Sequence, residues 1–265
     1  MVLKIGTYNI LGLTGYPVSE AKKEINVPGT GENTEHFTQV FSDLSCDVLG
    51  LQEGTSVNIL YSIAKRLKFH LATFPSPIAW PGHILSRISI CESRTFSHYA
   101  PDCGLPPFSR TFGAALLQDD SDQKLWVVNV HLHPSDVGLR SIEGQLLCSV
   151  LEELQKSVSN IVVLGDFNSE VNESVHEQMD SVGFVNAMAK VGGGIKATMD
   201  TCGIERHCID HLYFSRDVAE RLISAEVIRL PGFRHDGPQR DGLWVHSDHL
   251  PVVAEVDWDF GKNKD

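Results

Sequence analysis

The chain has 265 residues, which is enough for one large domain with a hydrophobic core or for two small ones. Its 42% hydrophobic and 21% charged residues are typical of a globular protein and exclude the disordered and fibrous classes. The net charge of -12 disfavours binding to duplex DNA, because proteins that hold DNA phosphates usually carry a basic face.

The cysteine pattern and the first residues bear on the compartment. The six cysteines form no CxxC pair and no disulfide-framework spacing. Cys148 lies in an apolar helical pattern and Cys91 ends a strand-like run, so both are predicted to be buried free thiols. The first residues are too polar for a secretory leader, and no apolar stretch reaches membrane-spanning length. We therefore expect a reduced, cytoplasmic protein that does not insert into a membrane.

In chain order, hydrophobic periodicity predicts short strands that alternate with about four helices. Strands are expected at Val2 to Ile10, Val48 to Gln52, His83 to Ile90, Phe112 to Gln118, Leu125 to Leu132, Ile161 to Leu164, Ile209 to Phe214, Ala225 to Arg229 and Val252 to Val256. Helices are expected at Phe37 to Leu44 with Asn33 or Thr34 as the cap, at Val57 to Leu67, from Asp136 or Ser141 to Leu154, and at Asn172 to Met179. The polar stretch from Glu20 to Gly31 is predicted to be a loop.

The order of these elements predicts the fold class. No repeat, low-complexity tract or linker divides the chain, so a single domain over residues 1–265 is expected. Consecutive strands between residues 83 and 132 argue against a purely alternating parallel sheet. Two packed sheets with helices outside, an α+β arrangement, fit the pattern better.

Acidic and amide side chains stand where predicted strands end. Asp166 and Asn168 follow the buried strand Ile161-Val-Val-Leu, two residues apart on one side. Because Gly, Asp and Asn are also turn residues, a plain turn is an equal alternative. Glu53 follows the strand Val48-Leu-Gly-Leu-Gln, where a solvated glutamate would be ordinary.

Histidines and aspartates accompany three further strands. His131 and His133 lie on one face of their strand by its period of two, and His133 is the better candidate for a packing role. Asp210 is embedded in an apolar strand, where a carboxylate needs a partner such as an imidazole. Asp248 and His249 precede the last strand and suit metal binding or general acid–base catalysis.

As an ordered set, these residues resemble the motifs of the endonuclease/exonuclease/phosphatase superfamily, from Thr7-Tyr-Asn-Ile-Leu to Ser247-Asp-His-Leu-Pro. The resemblance implies a DNase I-like, four-layer α/β sandwich: two packed mixed β-sheets flanked by helices, with the active site at one end. Three stretches are similar to the deadenylase-related branch (Ccr4, nocturnin and Angel-type proteins): Thr7-Tyr-Asn-Ile-Leu, Gly165-Asp-Phe-Asn-Ser and Ile209-Asp-His-Leu-Tyr-Phe-Ser. The chain departs from that branch in its short length, in lacking a leucine-rich repeat region and in carrying His211 where an aromatic residue is commoner.

The resemblance also implies a Mg²⁺ ion, with Mn²⁺ as a substitute. Glu53 would be the principal metal ligand, with Asn9 close by and Asp248 near the same site. Such a ligand set is chemically sensible, because Mg²⁺ prefers oxygen ligands and keeps several waters, so that one or two carboxylates suffice.

Other residues would act on the phosphate. By the same resemblance, Asp166 would orient or deprotonate the attacking water, and Asn168 would hydrogen-bond the substrate or the nucleophile. His249, held by Asp210, would face the scissile phosphate, while His131 would stabilise the negative charge that develops on it. Phosphoryl transfer requires this kind of positioning and charge neutralisation more than covalent chemistry.

The predicted function is a Mg²⁺-dependent phosphoester hydrolase, a phosphodiesterase or phosphatase acting on a nucleotide, an RNA end or another small phosphoester. A DNA nuclease of the abasic-site or DNase type is the alternative, and the acidic total makes duplex DNA the weaker partner. A non-catalytic scaffold is disfavoured because every candidate position is filled. Arg110 and Arg87 are candidate phosphate contacts, with ordinary surface arginines as an equal alternative.

Specificity is expected in loops rather than in the shared sheet ends. These loops span residues 12–31, 97–110, 186–206 and 231–246. The last contains Arg234, His235, Arg240 and Trp244, which either contact phosphate and base or form a solvated loop anchored by one tryptophan.

Overall fold

The computed structural model describes residues 1–99 and 104–258, and this part of the chain forms two six-stranded sheets with helices. The strands are β1 (Val2–Asn9), β2 (Val48–Gln52), β3 (His70–Phe74), β4 (Gly82–Ser86), β5 (Ser89–Thr95), β6 (Phe112–Gln118), β7 (Lys124–His131), β8 (Ile161–Asp166), β9 (Phe184–Asn186), β10 (Asp210–Ser215), β11 (Leu222–Val227) and β12 (Val252–Asp257). The helices are α1 (Val18–Ile25), α2 (Gly31–Leu44), α3 (Val57–Leu67), α4 (Val137–Gln155), α5 (Ser174–Ser181), α6 (Ala187–Lys190) and α7 (Arg216–Ala219), and a 3₁₀ turn spans Leu11–Leu13. No helix in the described ranges is long and apolar enough to cross a membrane.

Both sheets are mixed. The first has the strand order β11-β12-β1-β2-β4-β3, and the second has the order β5-β6-β7-β8-β10-β9. In each sheet one central pair is parallel, β1 with β2 and β7 with β8, and the other neighbours are antiparallel. The predicted architecture of two packed mixed sheets flanked by helices is confirmed.

Strand alternation divides the core into two layers. In β7, Val127 packs into the cluster shared by the two sheets, whereas Val128 and Val130 pack against Leu147 and Leu151 of α4 on the outer face. Both faces of the central strands are therefore buried, which explains why their sequences are continuously apolar.

A glycine lets the two sheets approach closely behind the strand ends. A Cβ atom on Gly50 in β2 would lie 1.8 Å from Cδ1 of Leu164 in β8. Such a contact is far inside the van der Waals limit, so any side chain here would push the sheets apart. The close approach brings the residues that follow β2 and those that end β8 to the same place.

Three local predictions are wrong. The segment predicted as a loop from Glu20 to Gly31 contains much of α1, because Ala21 and Ile25 bury one side of a helix at i, i+4 spacing. Helix α2 is capped by Thr30, whose hydroxyl accepts from the Asn33 N–H, rather than by Asn33 or Thr34. The predicted strand from His83 to Ile90 is two strands in different sheets, β4 and β5.

The edges of the sheets account for several further differences. The strands β3 and β9 were not predicted, and both lie at sheet edges: β3 is half-exposed, which weakens its hydrophobic pattern, and β9 has only three residues. Cys148 is buried as expected, but Cys91 is exposed because it lies in the edge strand β5. Within the predicted specificity loop 97–110, residues 100–103 lie outside the described residues.

Candidate active site

The predicted site residues gather at one end of the sandwich, where strands of both sheets end or begin. The strand ends contribute Asn9 from β1, Glu53 after β2, His131 from β7, Asp166 from β8 and Asp210 from β10, and adjoining segments contribute Arg110, Asn168, Asp248 and His249. In the register of the second sheet, Asp166 stands opposite His131 on one side and Asp210 on the other.

Asp166 is fixed by contacts from both sheets. Asn9 Nδ2 donates to Asp166 Oδ2 at 2.9 Å, and both residues are only 1% exposed. The other carboxylate oxygen accepts from the Asn168 N–H at 2.9 Å. Asn168 has a φ of 47°, and its side-chain amide donates to the Leu132 carbonyl at 3.1 Å. Asp166 and Asn168 therefore form a turn and also lie in the candidate site, although the sequence left these two interpretations as alternatives.

Backbone contacts hold Glu53 at the exit of β2. Its φ is 48°, a left-handed conformation that non-glycine residues rarely adopt and that often marks functional positions. The Gly12 N–H donates to the Glu53 carbonyl at 2.7 Å, and the Gly54 N–H donates to the Pro81 carbonyl at 2.8 Å. Three separate segments thus meet at this residue.

The Glu53 carboxylate lies in a negative environment. Burial raises its pKa, and the neighbouring carboxylates of Asp166 and Asp248 add to that shift, against the opposing effect of His249 and Arg110. Its Oε1 lies 3.5 Å from Nη1 of Arg110, which is the one arginine among the described residues with an ion pair to it. This carboxylate is only partly neutralised by the protein, as expected for a group that binds a cation.

His131 is neutral at neutral pH. Burial, only partly opposed by Asp166, lowers its pKa to about 4. Its Nε2 lies 3.4 Å from Asp166 Oδ2, 3.3 Å from Arg110 Nη1 and 3.9 Å from Glu53 Oε1. The ring therefore sits among the groups of both sheets. His133, by contrast, has a structural role, since its Nδ1 accepts from the Asp136 N–H at 2.9 Å.

His249 and Asp210 form a buried pair. His249 Nδ1 lies 2.9 Å from Asp210 Oδ2, and its Nε2 lies 3.8 Å from Asp166 Oδ2. Burial opposes the charged imidazole, but the carboxylates of Asp210 and Asp166 outweigh it and raise the pKa of His249 well above its ordinary value. The pairing with Asp210 thus favours the protonated imidazole, with Nε2 directed into the cluster.

Two places in the cluster could hold a metal ion. Asp166, Asp210 and His249 offer ligand atoms within 4.8 Å of one another. However, His249 Nδ1 is engaged by Asp210 Oδ2, which leaves only the buried Asp210 Oδ1 without a partner, and a protonated imidazole has no lone pair for a metal. Glu53, with Asn9 and Asp248 near it, offers oxygen ligands of the type that Mg²⁺ prefers and is the better candidate.

Sequence reasoning missed Glu143 of α4, which joins the segments that carry Arg110 and His131. Glu143 is fully buried. Its Oε1 accepts from the Ser109 N–H at 2.7 Å and from the Ser109 hydroxyl at 2.6 Å, and its Oε2 accepts from the His133 N–H at 2.9 Å. The sequence does hint at Glu143, because it lies four positions before Leu147 and therefore on the apolar face of the helix, where a charged residue is unusual.

A buried polar chain behind the site was also missed. Gln52 Nε2 donates to Asn129 Oδ1 at 2.8 Å, and the Asn129 amide donates to the carbonyls of Leu51 and His83, both at 2.9 Å. Because Gln52 precedes Glu53 and Asn129 is two residues before His131, this chain fixes one sheet relative to the other directly under the site.

Several candidate phosphate contacts are engaged elsewhere. Arg87 pairs with Asp47 at 3.1 Å; Asp47 precedes β2, so the pair lies at the end of the sheet opposite Glu53. Arg234 pairs with Asp200 at 3.1 Å. Trp244 packs beside Gly15 and His36, which supports the view of an anchored loop.

Comparisons with known proteins bear on the family and the fold of the chain. The sequence profile described as the Endonuclease/Exonuclease/phosphatase family matches residues 6–261. No curated protein sequence matches the chain significantly.

Solved structures share the fold over nearly the whole chain. A family protein from Bacteroides thetaiotaomicron is 17% identical, with a TM-score of 0.75 over 100% of this chain and 99% of that one. A mannosyl-6-phosphatase from the same organism is 18% identical, with a TM-score of 0.75 over 97% and 100%. A Neisseria 3′ phosphatase bound to a product DNA hairpin is 18% identical, with a TM-score of 0.69 over 97% and 100%. At these identities the likeness shows the fold alone.

Replacing Glu143 with glutamine should destabilise the fold. The NH₂ group of the glutamine would face one of the N–H or O–H groups whose hydrogen bonds Glu143 now accepts, so that bond would be lost. An unsatisfied buried polar group costs about 1–3 kcal/mol. Urea unfolding measures the change. Glu153→Gln is the matched control, because Glu153 lies on the same helix with its side chain 65% exposed, paired with Lys156. Equal stability changes in the two variants would contradict the assigned clamp.

Replacing Asp210 with asparagine should lower the pKa of His249. Without that carboxylate, the effect of burial is less opposed, so the ring loses its proton at a lower pH than in the parent protein. NMR titration of the imidazole Cε1–H in the metal-free protein measures the shift, with the exposed Asp217→Asn as control. A titration that is the same in both variants would show that Asp210 does not hold the charge on His249.

Proposed function

The chain belongs to the endonuclease/exonuclease/phosphatase family, and we propose that it is a divalent-metal-dependent phosphoester hydrolase. The substrate class is a nucleotide, an RNA end or another small phosphoester. The observation that supports this most directly is the convergence of three carboxylates, Glu53, Asp166 and Asp210, with the charged His249 at the meeting point of two sheets.

In this proposal Glu53 is the principal ligand of Mg²⁺ or Mn²⁺, with Asn9 and Asp248 beside it. The donor set fits, because Mg²⁺ prefers oxygen ligands and Glu53 is half-buried in a site that it shares with the carboxylates of Asp166 and Asp248. When bound, the metal supplies polarisation of the phosphoryl oxygen and neutralisation of its charge.

The remaining residues handle the proton and the phosphate charge. Asp166 is held by Asn9 and by the Asn168 N–H, so it can orient the attacking water and accept its proton as the new O–P bond forms. His249, charged by its pairing with Asp210, faces the phosphate and can give its Nε2 proton to the leaving oxygen as the ester bond breaks.

Positive and neutral donors stabilise the phosphate itself. Arg110 is half-buried beside Glu53 and His131, and a guanidinium suits the planar array of phosphate oxygens. The neutral His131 stabilises the charge that develops in the transition state, and Asn168 hydrogen-bonds the substrate or the water.

Substrate identity within the family is also a proposal. The solved relatives include a sugar phosphatase and a 3′ phosphatase bound to DNA, so the fold accommodates more than one phosphoester. The net charge of -12 favours a small substrate over duplex DNA. Membership of the deadenylase-related branch rests on the short stretches around Asp166 and Asp210, and it would place the substrate among RNA ends.

Turnover should depend on Glu53 and His249. With Mg²⁺, a panel of nucleotides, short RNA and bis-p-nitrophenyl phosphate should show metal-stimulated hydrolysis by the parent protein. Glu53→Gln and His249→Ala should each reduce the rate by at least about two orders of magnitude, the scale of a lost preorganised group. Glu226→Gln, an exposed glutamate of β11, is the control and should keep the parent rate.

Two outcomes would overturn this assignment. Near-parent rates in either site variant would remove the role given to that residue. Nicking of abasic or plasmid DNA that falls steeply with salt, without turnover of the small substrates, would favour the DNA nuclease instead.

A further inference from the structure

An exposed tryptophan stands beside the site and has no part in the chemistry above. Trp80 is 38% exposed and lies two residues before β4. Its carbonyl accepts from the Thr111 hydroxyl at 3.1 Å, and the next carbonyl, of Pro81, accepts from the Gly54 N–H at 2.8 Å. Thr111 follows Arg110 and Gly54 follows Glu53, so Trp80 is tied to both sides of the proposed phosphate site.

The indole ring of Trp80 packs against the backbone of Gly12. A Cβ atom on Gly12 would lie 2.9 Å from Cζ3 of Trp80, so the ring rests where a side chain at residue 12 would otherwise be. Gly12 also has a φ of 61°, which favours glycine, and its N–H donates to the Glu53 carbonyl. The ring therefore contacts the same short turn that holds the proposed metal ligand.

The backbone of Trp80 is itself constrained. Its φ is 66°, a left-handed conformation that is rare for a bulky residue and persists only where the surroundings impose it. Hydrogen bonds fix the carbonyls of Trp80 and Pro81. A large, partly exposed aromatic side chain is thus held by a hydrogen-bonded segment next to a polar site.

We propose that the Trp80 indole is a stacking platform for the nucleobase of a nucleoside phosphate whose phosphate is bound at the Glu53–Arg110 site. This inference rests on the proposed function and names its substrate class. Base–aromatic stacking accepts any base, because every base has a flat π-face. An acidic protein gains little affinity from long-range attraction to phosphate, so an aromatic surface would supply much of the binding.

The test compares two substrates that differ only in the base. Adenosine 5′-monophosphate and ribose 5-phosphate are given to the parent protein, Trp80→Ala and Trp80→Phe, with phosphate release measured under Mg²⁺. In Trp80→Ala, the KM for the nucleotide relative to that for ribose 5-phosphate should rise about tenfold, and Trp80→Phe should restore most of it. Tyr61→Ala is the matched control, since Tyr61 is an exposed aromatic residue on α3.

A binding measurement separates this inference from the hydrolase proposal. In metal-free protein, adenosine 5′-monophosphate should quench tryptophan fluorescence, ribose 5-phosphate should not, and Trp80→Phe should remove the quench. A base-dependent quench without any turnover would support the platform and count against hydrolysis. An unchanged KM ratio, an equal KM increase for both substrates, or a quench that survives in Trp80→Phe would overturn the platform.

Discussion

A hydrogen bond between Asn9 and Asp166 joins the central strands of two separate sheets at 2.9 Å. Both residues are almost completely buried, so each polar side chain needs the hydrogen-bond partner that the other sheet provides. The close approach at Gly50 and the polar chain through Gln52 and Asn129 keep the sheets in this register from beneath. The chemistry proposed for the site depends on that junction, because each sheet supplies several of its groups.

The junction concentrates negative charge, and the distribution of pKa values follows from it. The carboxylates of Asp210 and Asp166 raise the pKa of His249 despite its burial, whereas burial, with a smaller contribution from Arg110, lowers the pKa of His131 to about 4. Two imidazoles with opposite pKa shifts thus lie within 4 Å of the same aspartate, since Asp166 Oδ2 is 3.4 Å from His131 Nε2 and 3.8 Å from His249 Nε2. Burial and the carboxylates of Asp166 and Asp248 raise the pKa of Glu53 despite Arg110 at 3.5 Å, and this concentration of carboxylates is the electrostatic reason for proposing a cation there.

The sequence predicted the sheet architecture well because the central strands are buried on both faces and therefore read as apolar runs. It failed at α1, where only Ala21 and Ile25 mark the buried side, and at the edge strand β3, where the pattern is half-exposed. The strand-end residues could be found because each lies directly before or after an apolar run. Glu143 and Trp80 could not, since their importance depends on contacts with Ser109, His133 and Gly12 that are distant in sequence.

The position of the metal tests the central claim most directly. Crystals soaked with Mn²⁺ and inorganic phosphate would locate the ion by its anomalous scattering. The account predicts a peak at the Glu53 carboxylate, with the Asp210–His249 hydrogen bond intact and phosphate facing His249. A peak between Asp166, Asp210 and His249, with that hydrogen bond broken, or the absence of any peak at Glu53, would contradict it.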